Sequence, residues 1–385
     1  MDPLQVASRL RTLLSPELAR EAAALLDLRR RARERLPRAA ELDLHRQGLE
    51  QATDQRVSRV RARRIAAWIR DQAPRAWVLD ATAGIGGDSM VLLEEGVARL
   101  VAADRVPRTL AALVHNLSRI DPCARVVCMD ASRPALRPDF VLLDPDRRAS
   151  GRRSGEPERW SPAWQEVLRW LRSVRGACVK LAPAVDVDRL ELPADLPRSF
   201  EWTSLRGELK EVALWTGELA REAREITVVR RDGEAITWSA SPTPVPALDE
   251  RAAHAVRWIH DPDPTVVRSG LLGALARIER LSPLAPDLAY LGGEHASRSA
   301  FLRAYRVLGS APLDRRRVRE LLQRHDVGPL VVKKRGHPDD AATLARRLRG
   351  RGSKQGLLLV ARLLEAHRAY LVRSCREVDP ARTSE

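Results

Sequence analysis

Long apolar runs are missing from this chain. The longest, such as residues 356–360 and 226–229, are strand-sized and fall far short of the ~20 residues a membrane helix requires. Cysteine is scarce: Cys123, Cys128, Cys178 and Cys375 keep no framework spacing, which excludes a disulfide scaffold and fits a reducing compartment. Residues 1–11 show no apolar stretch behind a basic start, so nothing there resembles a secretory signal. A soluble, cytoplasmic protein with no membrane contact is the expectation. Paired metal-ligand spacing is absent too, because the histidines at 45, 115, 254, 260, 295, 325, 337 and 367 form no such pattern with each other or with cysteine, and no metal is expected. There is no repeat of fixed period and no low-complexity segment.

Lysine is nearly absent, whereas arginine is abundant. The formal charge is +16 and the pI about 10.8, a field that attracts polyanions, with nucleic acid first among them. Arginine is dense at 29–38, 56–64, 315–324 and 346–351, with few compensating acids. The bland alternative is a proteome-wide preference for arginine spread over solvated helix faces.

The 385 residues, 44% of them hydrophobic, are enough for two or three domains. Residues 1–72 read as helical: Ser15-Pro16-Glu17 is a helix start, and Val57, Val60, Ile65 and Trp68 recur at roughly helical spacing. From Trp77 the pattern becomes short apolar runs separated by helix-length segments, at 77–81, 100–104, 125–130, 140–145 and 177–183. This alternation predicts an α/β fold, a doubly wound parallel sheet with right-handed crossovers. Residues 200–205 and 211–216 add an antiparallel edge pair, and 226–239 a hairpin turning at Asp232-Gly233. Proline at 242–246 marks a linker. The expected organisation is thus a helical region at 1–72, the α/β domain at 73–240, a mainly helical connection at 241–312 and a small α+β module at 313–385. Within that module, 330–334, a helix at 340–348 and 356–363 form a βαβ unit, followed by a strand at 367–372.

The strongest motif runs from Asp80 through Thr82, Gly84, Gly86 and Gly87 to Asp88, at the end of the first strand. Glycine there lets backbone approach a ligand at the crevice where such sheets bind nucleotides. Asp104 follows Gly84 by about the ~20 residues expected for the acid that bonds an adenosine ribose, and Asp130 ends the third strand within reach of an adenine. A dinucleotide fingerprint would need glycine where Ser89 stands. Carboxylates at Asp80 and Asp88 would repel a pyrophosphate but suit the ammonium and sulfonium of S-adenosylmethionine, the expected cofactor.

The fourth strand ends in Leu143-Asp144-Pro145-Asp146-Arg147-Arg148. Methyl transfer is an in-line displacement at sulfonium, so the protein mainly aligns a nucleophile. Asp144 and the Pro145 carbonyl are placed to accept hydrogen bonds from an amine, with Asp146 beside them; the alternative is that Asp144 caps a turn. Arg147 and Arg148 read equally as phosphate contacts or as ion-pair partners of Asp144 and Asp146. In the basic loop that follows, Trp160 is the candidate for stacking on a base, whereas Trp164 suits helix packing. Lys180, ending the fifth strand, either contacts substrate phosphate or only tips the strand. A covalent cysteine mechanism is disfavoured because Cys178 lies inside a strand. In the C-terminal module, Lys333, Lys334 and Arg335, with Arg346, Arg347, Arg349 and Arg351, read as one basic face for docking RNA, or as a solvated face of a stabilising appendage.

These residues resemble a bacterial family of class I methyltransferases with a C-terminal THUMP-like domain. The resemblance lies in Thr82–Asp88, in Asp144–Arg148, in Lys180-Leu181-Ala182-Pro183, in Val332-Lys333-Lys334-Arg335-Gly336, and around Gly48-Leu49-Glu50-Gln51-Ala52-Thr53. It implies a Rossmann-like class I fold, S-adenosylmethionine held by the 84–88 loop and Asp104, and catalysis near Asp144. True THUMP domains bind RNA, so the resemblance implies RNA as the substrate; the leading expectation is an RNA methyltransferase acting on a base, with an exocyclic amine extruded into the pocket as its target. Compared with the [Asp/Asn]-Pro-Pro-aromatic motif of amino-group methyltransferases, Asp146 replaces the second proline and Arg147 the aromatic. A small-molecule methyltransferase and a non-catalytic RNA-binding protein are the competing readings.

Overall fold

The computed structural model describes residues 8–9, 11–133, 135–146, 159–222 and 224–375. They fall into two compact units, the first mainly the chain up to Leu205 with 209–223, the second mainly the chain from Ile236 on.

In the first unit three helices precede the sheet: α1 (Pro16–Ala32), α2 (Arg46–Gln51) and α3 (Gln55–Gln72). Ser15 caps α1 by accepting from Leu18 N, as its sequence implies. The parallel strands are β1 (Val78–Asp80), β2 (Leu100–Asp104), β3 (Arg125–Cys128), β4 (Phe140–Leu143) and β5 (Gly176–Leu181). Between them run α4 (Gly87–Glu94), α5 (Pro107–Ser118) and α6 (Trp164–Ser173). With β6 (Arg198–Leu205) and β7 (Glu208–Gly217) the strand order is β3-β2-β1-β4-β5-β7-β6. β1 pairs in parallel with both β2 and β4, so the chain reverses its direction of winding there and opens a crevice at their carboxyl ends. β7 inserts antiparallel beside β5, with Leu181 opposite Val212.

The helical region at 1–72 is not a separate body. Ile65 and Trp68 of α3 are buried with Val78, Phe140 and Trp215, and Leu49 of α2 with Ile85 and Leu113. Each such side chain removed from water contributes ~1.5–3 kcal/mol, which is why these helices join the sheet rather than stand apart. The predicted hairpin is β8 (Arg224–Val229) and β9 (Ala235–Ser239), with Gly233 at φ 95° in the turn.

The second unit holds a seven-stranded sheet. Its strands are β10 (Trp258–Pro262), β11 (Ser282–Pro283), β12 (Leu291–Gly293), β13 (Leu302–Pro312), β14 (Val327–Arg335), β15 (Lys354–Arg362) and β16 (His367–Ser374), ordered β11-β12-β10-β13-β16-β15-β14. The expectation of a mainly helical connection at 241–312 is corrected: α7 (Glu250–Ala255), α8 (Pro264–Arg268) and α9 (Leu272–Ile278) share it with three short strands and β13. Those strands belong to the same sheet as the C-terminal module, since β13 pairs along its length with β16. The predicted βαβ unit is present. β14 and β15 pair in parallel through α11 (Ala341–Leu348), which Asp340 caps, and α10 (Arg315–Arg324) shares a core with α11.

Candidate active site

The β1–α4 turn is built from two left-handed glycines, Gly84 at φ 57° and Gly86 at φ 91°. Only glycine takes such angles freely. A Cβ at Gly86 would also press to 2.9 Å from Leu113 Cδ1, whereas the space around Gly84 and Gly87 is open. Asp104, ending β2, is fixed by two backbone donors: Gly84 N at 3.1 Å on Oδ2 and Val106 N at 2.8 Å on Oδ1. Its remaining lone pairs stay available to a diol. Asp130 accepts from Ser132 N, and that bond, ahead of the opposing effect of burial, lowers its pKa. Thr82 Oγ1 accepts from Asp144 N at 2.6 Å and so joins the glycine turn to the end of β4. Open space above a glycine turn, beside a preoriented carboxylate, fits an adenosine-bearing ligand.

Behind this surface lies a network of buried charges. Lys180 Nζ donates to Asp144 Oδ2 at 2.5 Å, to Thr53 Oγ1 at 2.8 Å and to Asp88 Oδ2 at 3.0 Å. Arg61 of α3, only 2% exposed, pairs with both Asp88 and Glu211. Burial opposes the charge on Lys180, but Asp144 and Asp88 hold its pKa above the usual lysine value; Arg61 is held up in the same way by Asp88 and Glu211. For Asp88 burial works against ionisation, yet Arg61 and Lys180 win and its pKa is lowered. On Asp80 the charge of Lys180 also acts, but it is outweighed. Buried, and next to the charge of Asp88, the Asp80 carboxyl is pushed up to about 7, with its Oδ2 accepting from Ser89 Oγ at 2.6 Å.

The sign of the resulting pH dependence follows directly. An unfolded aspartate ionises near 3.8 and Asp80 in the folded chain near 7, so between these values the native state binds the extra proton. Stability conferred by protonated Asp80 is complete below about pH 4 and lost as pH rises to about 7, by on the order of 4 kcal/mol. Buried Glu211, whose pKa is also raised by burial, adds to the loss with the same sign. Asp80→Asn is therefore expected to match the parent near pH 4 and to exceed it by a growing margin up to about pH 7, and still at pH 8, in urea unfolding. Equal midpoints at pH 8 would refute the assignment.

Several expectations for site residues change. Lys180 is not a phosphate contact; it is 9% exposed and spends its protons on Thr53, Asp88 and Asp144. Asp88 is already matched by two cations, so it belongs to this network rather than to a site for the donor's ammonium. Trp160 is 5% exposed and lies edge-on to Trp164 at 5.9 Å, which makes it core rather than a stacking platform. Burial also raises the pKa of Cys178, in keeping with an unreactive thiol. Arg147 and Arg148 lie outside the described residues. Gln51 reaches Asp146 Oδ2 at 3.5 Å.

The basic face read from 333–335 also divides. Strand alternation sends Lys333 and Arg335 to one side of the second sheet, where both pair with Asp261 at 2.9 Å, while Val332 packs with α10 and α11 on the other. Lys334 donates to His337 O. Of the arginines read into that face, Arg346, Arg347, Arg349 and Arg351 are exposed, and so are Arg315, Arg316, Arg317, Arg319 and Arg324 of α10.

Reasoning from sequence missed Arg61, Glu211 and Thr53. Arg61 did carry a signal, because it shares the helical stripe of Val57, Ile65 and Trp68.

A glycine-rich turn after the first strand of a 3-2-1-4-5 sheet, with acids ending the next strands, defines the class I methyltransferase architecture. Residues 302–374 match the family described as THUMP domain-like. Two Mycobacterium tuberculosis proteins, of strains CDC 1551 / Oshkosh and ATCC 25618 / H37Rv, are each named an uncharacterized S-adenosylmethionine-dependent methyltransferase. Both are 34% identical over 338 residues, 86% of this chain and 88% of theirs. The chain belongs to this family of S-adenosylmethionine-dependent methyltransferases, and S-adenosylmethionine is its methyl donor. A Porphyromonas gingivalis W83 protein, provisionally named a methyltransferase, shares the fold with a TM-score of 0.72 at 18% identity, covering 94% of this chain and 92% of that one. Among the described residues no helix is long and apolar enough to cross a membrane.

Proposed function

We propose that the chain methylates a base of RNA at an exocyclic amine. The observation that carries this reading is Asp144. Its Oδ2 is held by Lys180, its backbone by Thr82, and its side chain remains 42% exposed beside the donor turn. The donor supplies an electrophilic methyl group on a sulfonium. Asp144 Oδ1 and the carbonyl of Pro145 accept the two N–H bonds of the amine and aim its lone pair in line. As the nitrogen–carbon bond forms and the sulfur–carbon bond breaks, the surplus proton on nitrogen leaves through the exposed Asp144 carboxylate to water. Lys180 holds that carboxylate in place.

RNA as the substrate is supported by the net charge of +16, by the THUMP domain-like match and by the exposed arginines of α10 and α11. Single-stranded or extruded bases offer an amine outside the stack. The deciding measurement is mass spectrometry of nucleosides from RNA of a strain lacking this protein against its parent. Loss of one N-methylated nucleoside is expected; identical profiles would sink the reading.

Asp104 is proposed as the acceptor for the ribose hydroxyls. Asp104→Ala removes charge-assisted hydrogen bonds worth ~1.5–3 kcal/mol, so donor affinity should fall at least about tenfold in calorimetry. Unchanged affinity would remove Asp104 from the site.

A further inference from the structure

We infer that His45 is a donor-binding residue whose Nε2–H bonds a ribose hydroxyl oxygen of S-adenosylmethionine. The inference rests on the proposed role of Asp104 and adds a second group from the helical N-terminal region.

His45 is the N-cap of α2, where its Nδ1 accepts from Gly48 N at 3.1 Å. An imidazole nitrogen that accepts carries no proton, so the neutral ring bears its proton on Nε2. Burial, and then the charge of Arg108, lower the His45 pKa and keep the ring neutral near pH 7, against the opposing pull of Asp43 and Asp104. Nε2 is buried and has no hydrogen-bond partner among the described residues. Buried donors are nearly always satisfied in folded proteins, so a lone N–H beside the donor turn points to a ligand atom.

Its surroundings say which one. Gly48 is wedged between the His45 ring and the donor turn: a Cβ there would lie 3.0 Å from His45 Cε1 and Nε2 and 2.3 Å from Ile85 Cγ2. The absence of that Cβ lets the ring approach the turn. Asp104, close enough for its charge to act on the ring, accepts the protons of the ribose hydroxyls, and their oxygens keep lone pairs for an N–H donor. A carboxylate and a neutral imidazole are thus complementary partners for one diol.

The cap and the proposed bond can be separated on the full chain, because asparagine reproduces the position of Nδ1 and glutamine that of Nε2. His45→Asn keeps an oxygen for Gly48 N and loses the donor; S-adenosylhomocysteine should bind about tenfold more weakly by calorimetry, with the thermal midpoint unchanged. His45→Gln gives up the cap but restores an N–H near Nε2, so binding should return to within about threefold of the parent. A purely structural histidine would give the reverse order, a stable, tight-binding Asn variant and a weakened Gln variant. 5′-Methylthioadenosine has the ribose without the amino acid and should show the same loss; a loss confined to S-adenosylhomocysteine would overturn the ribose assignment. Asp104→Ala serves as the reference. If it weakens binding and His45→Asn does not, the inference on His45 fails alone; if neither does, the reading of the whole donor site fails.

Discussion

Asp144→Ala is expected to cut single-turnover methyl transfer by about 10²-fold or more while leaving donor affinity within about twofold, because its proposed contacts are with the nucleophile. The structure makes this separation possible. Donor contacts are assigned to the glycine turn and Asp104, whereas Asp144 meets that turn only through its backbone N–H, which alanine retains. After the substitution Lys180 still has Asp88 and Thr53, so the buried charge keeps a partner and the fold should persist. Asp144→Asn offers a sharper comparison, since it retains an acceptor but loses the charge that draws off the proton. Turnover of the alanine variant at the parent rate, on RNA lacking the modification, would remove Asp144 from the chemistry.

The second large effect concerns stability. Arg61→Leu removes the cation between Asp88 and Glu211 and leaves Glu211 buried without it. Breaking one side of a buried ion pair costs ~3–5 kcal/mol, whereas replacing both partners by apolar groups is often close to neutral. Urea unfolding should therefore show a loss of that size for Arg61→Leu, and recovery of most of it in Arg61→Leu/Glu211→Leu. A single variant less than about 1 kcal/mol below the parent would show the pair to be dispensable.

The parts of this site legible in the sequence are those set by local geometry. A parallel strand followed by a helix places its last residue at the crevice, so Asp104 and Asp144 could be located from strand ends alone. Partnerships across long sequence separations were not legible. Arg61 sits in an arginine-dense stretch that reads as a solvated surface, and its burial depends on β7, whose antiparallel insertion brings Glu211 to the carboxyl end of β5. Trp160 was misplaced for a related reason. The bridge between Asp146 and Ser161 turns the chain back to the sheet and carries the ring into the core, which no periodicity in a loop announces. In the second unit β10, β11 and β12 run for two to five residues each, with Pro262 and Pro283 at their ends, too short to show alternation against the helices beside them.

The pairing of Arg61 with Glu211 also sets an order of events during synthesis. The two residues are 150 positions apart, so at elongation rates of ~5–20 residues per second α3 emerges roughly 8 to 30 s before the carboxylate that completes its guanidinium's surroundings. Until then Arg61 has only Asp88, and burying it is unfavourable. Water therefore keeps the arginine face of α3 open while β1 to β5 are made. Arrival of β7 seals that face, so Lys180 is locked in its final surroundings only after the whole parallel sheet has been translated.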